Sequence, residues 1–433
     1  MIFPVQGKFK MMSRLQLVTL FVALQWFLVA PGQAQSHPFP QHPRYATGTI
    51  RPSQVTREQM DREVRAYYDA WKKDYVKEAG PDPETGKPLF RVVMGKELPD
   101  SGQTVSEGQG YGMVIVAIMA GHDPEARALF DGLYRFAQRH PGRVSPHLMR
   151  WKVSLDDRPS NGTAFDGDAD IAYGLMLAHA QWGSDGAISY RKEANAVLEA
   201  LLKHCIGPRS RLPMLGDWVE ADGAKHNQFT VRSSDFMPSH FRAWAKFSGD
   251  PVWNEVAERC SGLVSVIQEK HSPATGLLPD FIVGADPLSA AKPAGPRFLE
   301  KEQDGDYFYN AGRAPWRLGL DALLNGDPVS RAQALKMAVW AKRATQGDGG
   351  RIRAGYTLAA GDLPGNDYFS TFFAAPFGVA AMLDPENQTF LDSIYAKVRD
   401  SHQGYYADTV NLLCLLAMSG NYWDPTTIKS QAK

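Results

Sequence analysis

Apolar residues recur with helical spacing from residue 55 to residue 425, and this pattern restricts the possible folds more than any other feature of the chain. A spacing of three to four residues places apolar side chains on one face of a helix, whereas the alternation typical of strands is scarce. The pattern predicts an all-α protein of about twelve helices. The predicted helices span residues 55–79, 106–120, 123–139, 168–182, 188–204, 234–247, 252–269, 311–324, 329–344, 369–382, 386–399 and 408–419.

The predicted helices follow one another without a low-complexity linker or a fixed-period repeat. This continuity favours one toroid of helical hairpins over 55–425, although 433 residues alone would allow two or three domains. The loops 271–309 and 345–368 are long, and such loops in a compact domain usually carry function. Outside the domain we predict a flexible lead over the His-, Pro- and Thr-rich residues 35–54 and a short tail over 426–433.

The first 34 residues differ from the rest of the chain. Three basic residues precede an apolar stretch over 15–30, and Gly32 and Ala34 place small residues at the positions that a signal peptidase recognises. We therefore predict that 1–34 is a cleaved secretory signal and that the protein acts in the periplasm or outside the cell. A membrane anchor is the alternative, but the apolar stretch is short for a span and contains two glutamines.

The charges and cysteines exclude several classes of protein. The chain has 47 basic and 47 acidic residues without a basic run, so it has no electrostatic footprint for nucleic acid. Cys205, Cys260 and Cys414 are too few and too widely spaced for a disulfide framework or a zinc site; they are either buried free thiols or one bridge and one thiol. There is no P-loop, no Gly-x-Ser-x-Gly and no His-Glu-x-x-His. We expect a monomer without a cofactor or metal.

The segment from Ser106 to Met113 reads Ser-Glu-Gly-Gln-Gly-Tyr-Gly-Met and places three glycines at the start of a predicted helix. Because Gly costs roughly 1 kcal/mol against Ala within a helix, these glycines indicate another constraint, such as the close approach of a ligand. Ser106 and Gln109 fit a capping box that would put Glu107 at the first helical position. Glu107 could merely complement the helix dipole, which would lower its pKa. A general acid here would need burial or a nearby carboxylate to raise it.

Three aspartates, Asp166, Asp168 and Asp170, alternate ahead of another apolar helix. They resemble the start of a calcium loop, but its sixth position is Ile171 instead of Gly and its twelfth is Leu177 instead of Glu, so no metal site is predicted. Capping of the helix by one Asp would leave the other two unexplained. A cluster of carboxylates would also raise the pKa of a Glu beside it.

A third segment combines carboxylates, aromatic rings and arginines. Glu300 and Glu302 precede the aromatic residues 307–309, and Arg313 and Arg317 follow on one helix face, where they would need partners if buried. The aromatic cluster could also be a packed helix entry. Cleavage of a glycosidic bond requires two carboxylic acids and uses aromatic rings that stack on sugars, and the three segments together contain these groups.

The three segments, with 148–152, 231–238 and 404–406, resemble glycoside hydrolase family 8 over about residues 60–425. The motif Ser-Glu-Gly-Gln-x-Tyr-Gly-Met is highly specific. The family includes endo-β-1,4-glucanases, lichenases, chitosanases and some xylanases. The resemblance implies an (α/α)6 barrel, in agreement with twelve helices, and hydrolysis of a β-linked polysaccharide with inversion.

The resemblance also implies roles for single residues. Glu107 matches the general acid of the family. Asp166 matches an Asp that binds and distorts the sugar at the cleavage point, although Phe165 stands where the family usually has Ser or Thr. Trp151 is similar to a residue that stacks on sugar beside the cleft. The further residues expected to bind substrate are Tyr111, Tyr309, Asn310, Arg313 and Tyr406.

The resemblance leaves the general base open. Many members have an Asp where this chain has Asn310, and an amide cannot accept a proton from water. Another branch, similar to the chitosanase and lichenase group, also has Asn there and takes its base from a Glu in the preceding loop. We therefore favour Glu300, ten residues earlier, with Glu302 as the alternate. A third possibility is an enzyme weakened by Asn310.

The substrate is ranked only coarsely by the sequence. We expect β-1,4-glucan or mixed β-1,3-1,4-glucan first, then chitosan, then xylan. Two other classes stay open: a glycan-binding protein that has lost hydrolysis, and an unrelated helical toroid such as a polysaccharide lyase.

Overall fold

The computed structural model describes residues 36–154 and 162–427, which belong to one compact unit. This described part contains twelve α-helices and seven short strands. The predicted signal segment 1–34 and residues 428–433 of the predicted tail lie outside it. The prediction of an all-α protein with about twelve helices is confirmed.

Six of these helices form an inner ring. They are α2 (Ser106–Ile118), α4 (Phe165–Trp182), α6 (Pro238–Ser248), α8 (Ala314–Asn325), α10 (Thr371–Ala381) and α12 (Tyr405–Met418). Their sequences are apolar on most sides; in α10 every residue is buried. Such helices are stable only when neighbours surround them. Each contacts the next, and α12 contacts α2, so the ring closes.

The other six helices lie outside the ring, each against an inner helix. They are α1 (Arg57–Tyr75), α3 (Ala126–Arg139), α5 (Tyr190–His204), α7 (Val252–Lys270), α9 (Pro328–Ala344) and α11 (Gln388–Val398). In α1, Val64, Tyr68 and Trp71 are fully buried at a spacing of three to four residues, and the opposite face is exposed. Inner and outer helices alternate along the chain, which is the arrangement of an (α/α)6 barrel.

Seven short strands lie in the loops between helices. They are β1 (Val76–Pro81), β2 (Pro88–Val92), β3 (Thr104–Val105), β4 (Lys152–Val153), β5 (Val231–Arg232), β6 (Phe281–Val283) and β7 (Lys292–Pro293). They pair antiparallel as β1–β2, β3–β4 and β5–β6–β7. Strand β1 starts directly after Tyr75, so the first helix is shorter than its predicted range 55–79.

Five of the six inner helices, all except α6, begin at the same end of the barrel, because residues at their starts line one cavity. Ser106 opens α2, Asp166 lies in the first turn of α4, and Tyr405 opens α12. Arg313 directly precedes α8, and Ser370 directly precedes α10. The positive ends of the helix dipoles therefore converge on this cavity.

Residues 36–54 cross the opposite end of the barrel, where the inner helices stop. Their backbone N–H groups donate hydrogen bonds to carbonyl oxygens at helix ends: Ser36 to Gln181, Phe39 to Ala120, Ala46 to Leu323 and Ile50 to Met382. Phe39 and Tyr45 are buried. We expected a flexible lead over 35–54, whereas residues 36–54 are held against the barrel by these hydrogen bonds and buried side chains. Composition did not reveal that the unpaired carbonyls at helix C-termini provide partners for this segment.

Two predictions about helix starts have different outcomes. Thr56 caps α1 as its sequence suggests, accepting a hydrogen bond from the backbone N–H of Gln59 at 3.2 Å. The capping box at α2 is wrong, because Ser106 is already helical and Gln109 bonds elsewhere. The Gln109 side chain accepts from the N–H of Val92 and donates to the carbonyl of Leu133.

The three cysteines are separate from one another. All three are buried and free, which agrees with the interpretation as buried thiols and not with one disulfide bridge and one thiol.

Candidate active site

A cavity of about 810 Å³ opens where the inner helices begin. Of the nine residues predicted for the site, eight line this cavity, and the exception is Tyr111. Among residues 36–154 and 162–427, the charged side chains of the lining are the carboxylates Glu107, Asp166, Asp280 and Glu300 and the cations Arg232, Lys301 and Arg313. Its exposed aromatic surface includes Trp151, Tyr309, Tyr368 and Tyr406.

Glu107 lies in the first turn of α2 with its carboxylate at the cavity. Its Oε1 accepts hydrogen bonds from the hydroxyls of Tyr111 at 2.9 Å and Tyr406 at 3.2 Å, and from Nη1 of Arg313. Burial raises the pKa of Glu107; Arg313 acts in the opposite direction, and Asp166 raises it further. These are the two effects, burial and a nearby carboxylate, that a general acid at a helix start requires.

Asp166 lies beside Glu107 and has the opposite protonation tendency. Its Oδ2 accepts a hydrogen bond from Nη1 of Arg313 at 2.9 Å and lies 3.7 Å from Nη1 of Arg232. Burial would raise the pKa of Asp166, but the two guanidinium groups outweigh burial and hold it below its ordinary value. Two neighbouring carboxyl groups whose pKa values are driven apart can serve as one acid and one anion.

Tyr111 does not line the cavity. It is fully buried, its hydroxyl donates to Glu107, and its ring packs edge-on against Trp316 with centroids 6.0 Å apart. The expected contact of Tyr111 with substrate therefore does not fit this arrangement. Its hydroxyl contacts the Glu107 carboxylate from inside the barrel instead.

Arg313 connects the carboxylates of Glu107 and Asp166 with Asn310. It is 2% exposed and donates from Nη1 to Glu107 and Asp166 and from Nη2 to Ser234 at 2.8 Å and to Oδ1 of Asn310 at 3.0 Å. A guanidinium is an N–H donor group only, and here the protein itself supplies the acceptors. Arg313 therefore has the hydrogen-bond acceptors that we expected a buried arginine to need.

Glu300 and Glu302 have different surroundings. Glu300 lines the cavity, where Nδ2 of Asn310 donates to its Oε2 at 3.0 Å and Nη2 of Arg232 to its Oε1 at 3.3 Å. Glu302 does not belong to the cavity lining and pairs with Arg297 at 2.6 Å. Of the two candidates for the base, only Glu300 is accessible from the cavity.

The aromatic rings form exposed walls. Trp151 is 45% exposed at the cavity rim, which suits a ring that stacks on a sugar. Tyr309 and Tyr368 also line the cavity, and their hydroxyls lie 2.9 Å apart. Tyr406 stacks on Phe372 with ring centroids 4.7 Å apart, which fixes its hydroxyl near Glu107.

The other two aspartates of α4 point away from the cavity. Asp170 accepts from Arg317 and His240 at 2.5 and 2.9 Å, and these charges hold the pKa of Asp170 at about 2 despite burial. Asp168 accepts from the backbone N–H of Met149 at 2.7 Å. Helix α4 already begins at Phe165 and has no side-chain cap, so the interpretation that one Asp caps the helix is wrong. The buried partners explain why three aspartates stand together.

The glycines of α2 have a different explanation from the one expected. A methyl group on Gly110 would come within 2.7 Å of the carbonyl oxygen of Gly167 in α4. A methyl group on Gly112 would meet Val92, and one on Gly108 would collide with the hydroxyl of Tyr405. Close contact between protein elements, and not the approach of a ligand, accounts for these three positions.

Sequence reasoning missed several residues of the cavity. Arg232 lies in a segment that matched the family, but no role was assigned to it. Asp280 follows an apolar stretch before β6 without any motif of its own. Lys301 and Tyr368 lie in the two long loops that were expected to carry function, which was the only available signal for them.

Within residues 36–154 and 162–427, no group of three or more His, Cys, Asp or Glu side chains is arranged to hold a metal ion. In the same residues, no helix combines the length and apolarity that a membrane span requires.

A closed double ring of helices surrounds a cavity that is lined by aromatic rings and by several carboxyl groups, among them Glu107 and Glu300. These are the parts that hydrolysis of a glycosidic bond requires, and they define a glycoside hydrolase. The sequence model described as glycosyl hydrolases family 8 matches residues 59–420. The chain therefore belongs to glycoside hydrolase family 8.

Similar proteins cover nearly the whole chain. A β-glucanase from Niallia circulans is 38% identical over 92% of this chain and 95% of its own length. An endoglucanase from Bacillus sp. strain KSM-330 is 36% identical over 90% of this chain and 82% of its own length. The apo structure of a β-1,3-1,4-glucanase from Paenibacillus sp. X4 has a TM-score of 0.84 and 37% identity, covering 90% of this chain and all of that one.

Proposed function

We propose that this hydrolase cleaves β-1,4-glucan or mixed β-1,3-1,4-glucan internally and with inversion, with Glu107 as general acid and Glu300 as general base. One observation carries the proposal. Glu107 and Glu300 line the same cavity and are connected through Arg313, which bonds to Glu107, and Asn310, which bonds to both Arg313 and Glu300.

In this mechanism Glu107 gives its proton to the oxygen of the leaving sugar. Its raised pKa favours the protonated form of the carboxyl group, which this step requires. Glu300 takes a proton from a water molecule that attacks the anomeric carbon from the opposite face. Attack from that face inverts the anomeric configuration and needs room for the water, so the carboxyl groups of inverting enzymes lie about 6.5–9.5 Å apart.

The choice of Glu300 places the chain in the branch of the family with Asn in place of the Asp base. Glu300 lines the cavity with its side chain 40% exposed, so a water molecule can reach it. Glu302 is paired with Arg297 outside the cavity lining. Asn310 supports the same choice, because its amide donates to Glu300 and leaves the carboxylate as the proton acceptor.

Charge favours a neutral glucan over chitosan. An amino sugar polymer is cationic and would be attracted by carboxylates that have no other partner. In this cavity Glu107 and Asp166 bond to Arg313, and Glu300 lies 3.3 Å from Arg232. The names of the β-glucanase and endoglucanase relatives support the same order of substrates.

We further propose that the protein is secreted after cleavage of residues 1–34 and acts as a monomer on the polysaccharide, without nucleic acid or membrane partners. The basic and apolar pattern of residues 1–34 supports secretion. Mass spectrometry of the mature N-terminus would test the cleavage, and a product that retains residues 1–34 would contradict it.

The enzymatic proposal is tested with Glu107→Gln, Glu300→Gln and Glu302→Gln on carboxymethylcellulose, lichenan, chitosan and xylan. We expect the first two variants to lose about 10²–10⁴-fold of kcat on the glucans. Glu302→Gln is the matched control from the same loop and should keep wild-type activity. During hydrolysis, NMR should show the inverted anomer first.

Three outcomes would contradict parts of the proposal. Activity in Glu107→Gln would refute the assignment of Glu107 as the general acid. An inactive Glu302→Gln together with an active Glu300→Gln would identify Glu302, and not Glu300, as the base. Hydrolysis of chitosan in preference to the glucans overturns the substrate.

A further inference from the structure

Asp280 is a buried carboxylate at the cavity that the mechanism above does not use. It is 2% exposed and directly precedes β6. Its Oδ1 accepts hydrogen bonds from the backbone N–H groups of Phe308 at 3.0 Å and Ala311 at 2.7 Å. Its Oδ2 accepts from Nδ2 of Asn310 at 3.3 Å. Asp280 therefore bonds to the backbone at both ends of the turn 308–311. It also bonds to the side chain of Asn310, which in turn contacts Glu300.

Asn310 extends this contact to Glu300. Its Nδ2 donates to Asp280 and to Oε2 of Glu300, and its Oδ1 accepts from Nη2 of Arg313. Because an amide has its donors and its acceptor on different atoms, these contacts are satisfied in only one orientation of the group. An Asp at this position would place a third carboxylate between two others, which like-charge repulsion disfavours.

The backbone of Glu300 has a separate anchor. Asp304 accepts three backbone hydrogen bonds, from Leu299 at 2.7 Å, Glu300 at 2.9 Å and Lys301 at 2.8 Å. These bonds fix the main chain of the loop but not the long side chain of Glu300. Holding such a side chain in one rotamer costs conformational entropy, so its direction depends on contacts to the carboxylate itself.

We propose that Asp280 and Asn310 form a positioning pair that aims the carboxylate of Glu300 at the attacking water. The inference rests on the proposed function, in which Glu300 is the base. Asp280 accepts a hydrogen bond from the amide of Asn310 and so fixes the orientation of that amide. The same amide donates to Oε2 of Glu300, and Arg232 donates to Oε1.

The burial of Asp280 supports this role. Burial raises the pKa of Asp280 to about 7, although the hydrogen bonds from the turn act in the opposite direction. A carboxylate in such surroundings costs free energy unless it is hydrogen-bonded. The groups that bond to it are those that place Asn310.

The variant Asp280→Asn separates the two functions of the carboxylate. Its amide oxygen can still accept from the N–H groups of Phe308 and Ala311, so the turn is retained. Its amide nitrogen would face Nδ2 of Asn310, and two donors cannot bond to each other. We expect kcat to fall by about 10²-fold with KM within about twofold of wild type, since misplacement of a reacting group affects the chemical step.

Asn310→Ala removes the amide directly and should have a similar effect, so the test does not depend on the folding of a single variant. Asp286→Asn is the matched control, because Asp286 is exposed and lies just beyond β6. It should match wild type in kcat, KM and melting temperature.

A double-mutant cycle identifies the route of the effect. If Asp280 acts through Glu300, Asp280→Asn should cause no further loss in kcat when Glu300 is already Gln. A purely structural role would reduce the remaining activity again by the same factor.

The outcomes separate this inference from the proposed function. Wild-type kcat in Asp280→Asn and Asn310→Ala, or losses that multiply with Glu300→Gln, would overturn the positioning pair and leave the base assignment intact. A fully active Glu300→Gln would overturn the base assignment and the positioning pair together.

Discussion

At the scale of residues, the adjacent carboxyl groups of Glu107 and Asp166 have opposite protonation tendencies. Asp166 is buried, and two guanidinium groups oppose the effect of burial on its pKa. Glu107 is mostly buried, with its side chain 17% exposed, and there Arg313 opposes burial while Asp166 reinforces it. Burial therefore prevails at Glu107, and the nearby cations prevail at Asp166. The Asp166 carboxylate therefore contributes to the raised pKa of the Glu107 carboxyl group.

This dependence predicts the pH profile of Asp166→Asn. The substitution removes a negative charge that raises the pKa of Glu107 and frees Arg313 to act more strongly on Glu107, so the pKa of Glu107 falls. The acid works only when protonated, and its deprotonation sets the alkaline limb of kcat. We expect this limb to move to lower pH in Asp166→Asn and to stay in place in the control Glu302→Gln. An alkaline limb at unchanged or higher pH would contradict the coupling.

At the scale of elements, the contact between α2 and α4 brings Glu107 and Asp166 together. Gly110 of α2 faces Gly167 of α4, and a methyl group on Gly167 would in turn meet Ser106. The two helices approach backbone to backbone near the turns that carry Glu107 and Asp166. Gly110 therefore permits the spacing of α2 and α4 at the site.

This contact predicts that Gly110→Ala destabilises the protein. The added methyl group would lie 2.7 Å from the carbonyl of Gly167 and 2.8 Å from Cβ of Asp170. Asp170 is held by Arg317, so α4 cannot move away freely. We expect the free energy of unfolding to fall by about 1–3 kcal/mol in a urea titration.

Gly262→Ala in α7 is the control for this substitution. There the nearest atom to an added methyl group is Cδ1 of Leu288 at 3.4 Å, an ordinary contact. Without a clash, Ala should stabilise the helix by up to about 1 kcal/mol. Equal effects of the two substitutions would mean that α2 and α4 are not in close contact.

At the scale of the whole molecule, the barrel has two ends with different tasks. The inner helices begin around the cavity, and their long loops supply Asp280, Glu300 and Tyr368. At the other end, residues 36–54 donate hydrogen bonds to the carbonyls where α2, α4, α8 and α10 stop. The hydroxyl of Tyr45 adds a bond to the carbonyl of Ala417 in α12 at 3.2 Å.

This division predicts that a chain starting at residue 51 is less stable than one starting at residue 36, but equally active at low temperature. The truncation removes about five hydrogen bonds to helix ends, each with a net contribution of about 1 kcal/mol, so we expect about 3–5 kcal/mol less stability. The cavity lies at the far end and keeps all its lining residues.

Thermal unfolding and kcat at 20 °C, compared between the two chains, test both statements. An unchanged melting temperature, or a low kcat in the folded truncated chain, would contradict the division.

The sequence by itself determined the twelve helices, because their apolar spacing is a local property of the chain. It also singled out Glu107 and Asp166, which lie in short contiguous motifs and line the cavity. The tertiary structure decided what depends on residues far apart: Arg313 meets Glu107 across 206 positions, and Asn310 meets Asp280 across 30. It also gives Glu300 and Glu302, two similar residues of one loop, different surroundings: Glu300 lines the cavity, whereas Glu302 pairs with Arg297 outside the cavity lining. Local patterns report which side chains must be buried, whereas burial, pKa shifts and the direction of a carboxylate arise from neighbours that the chain brings together only when it folds.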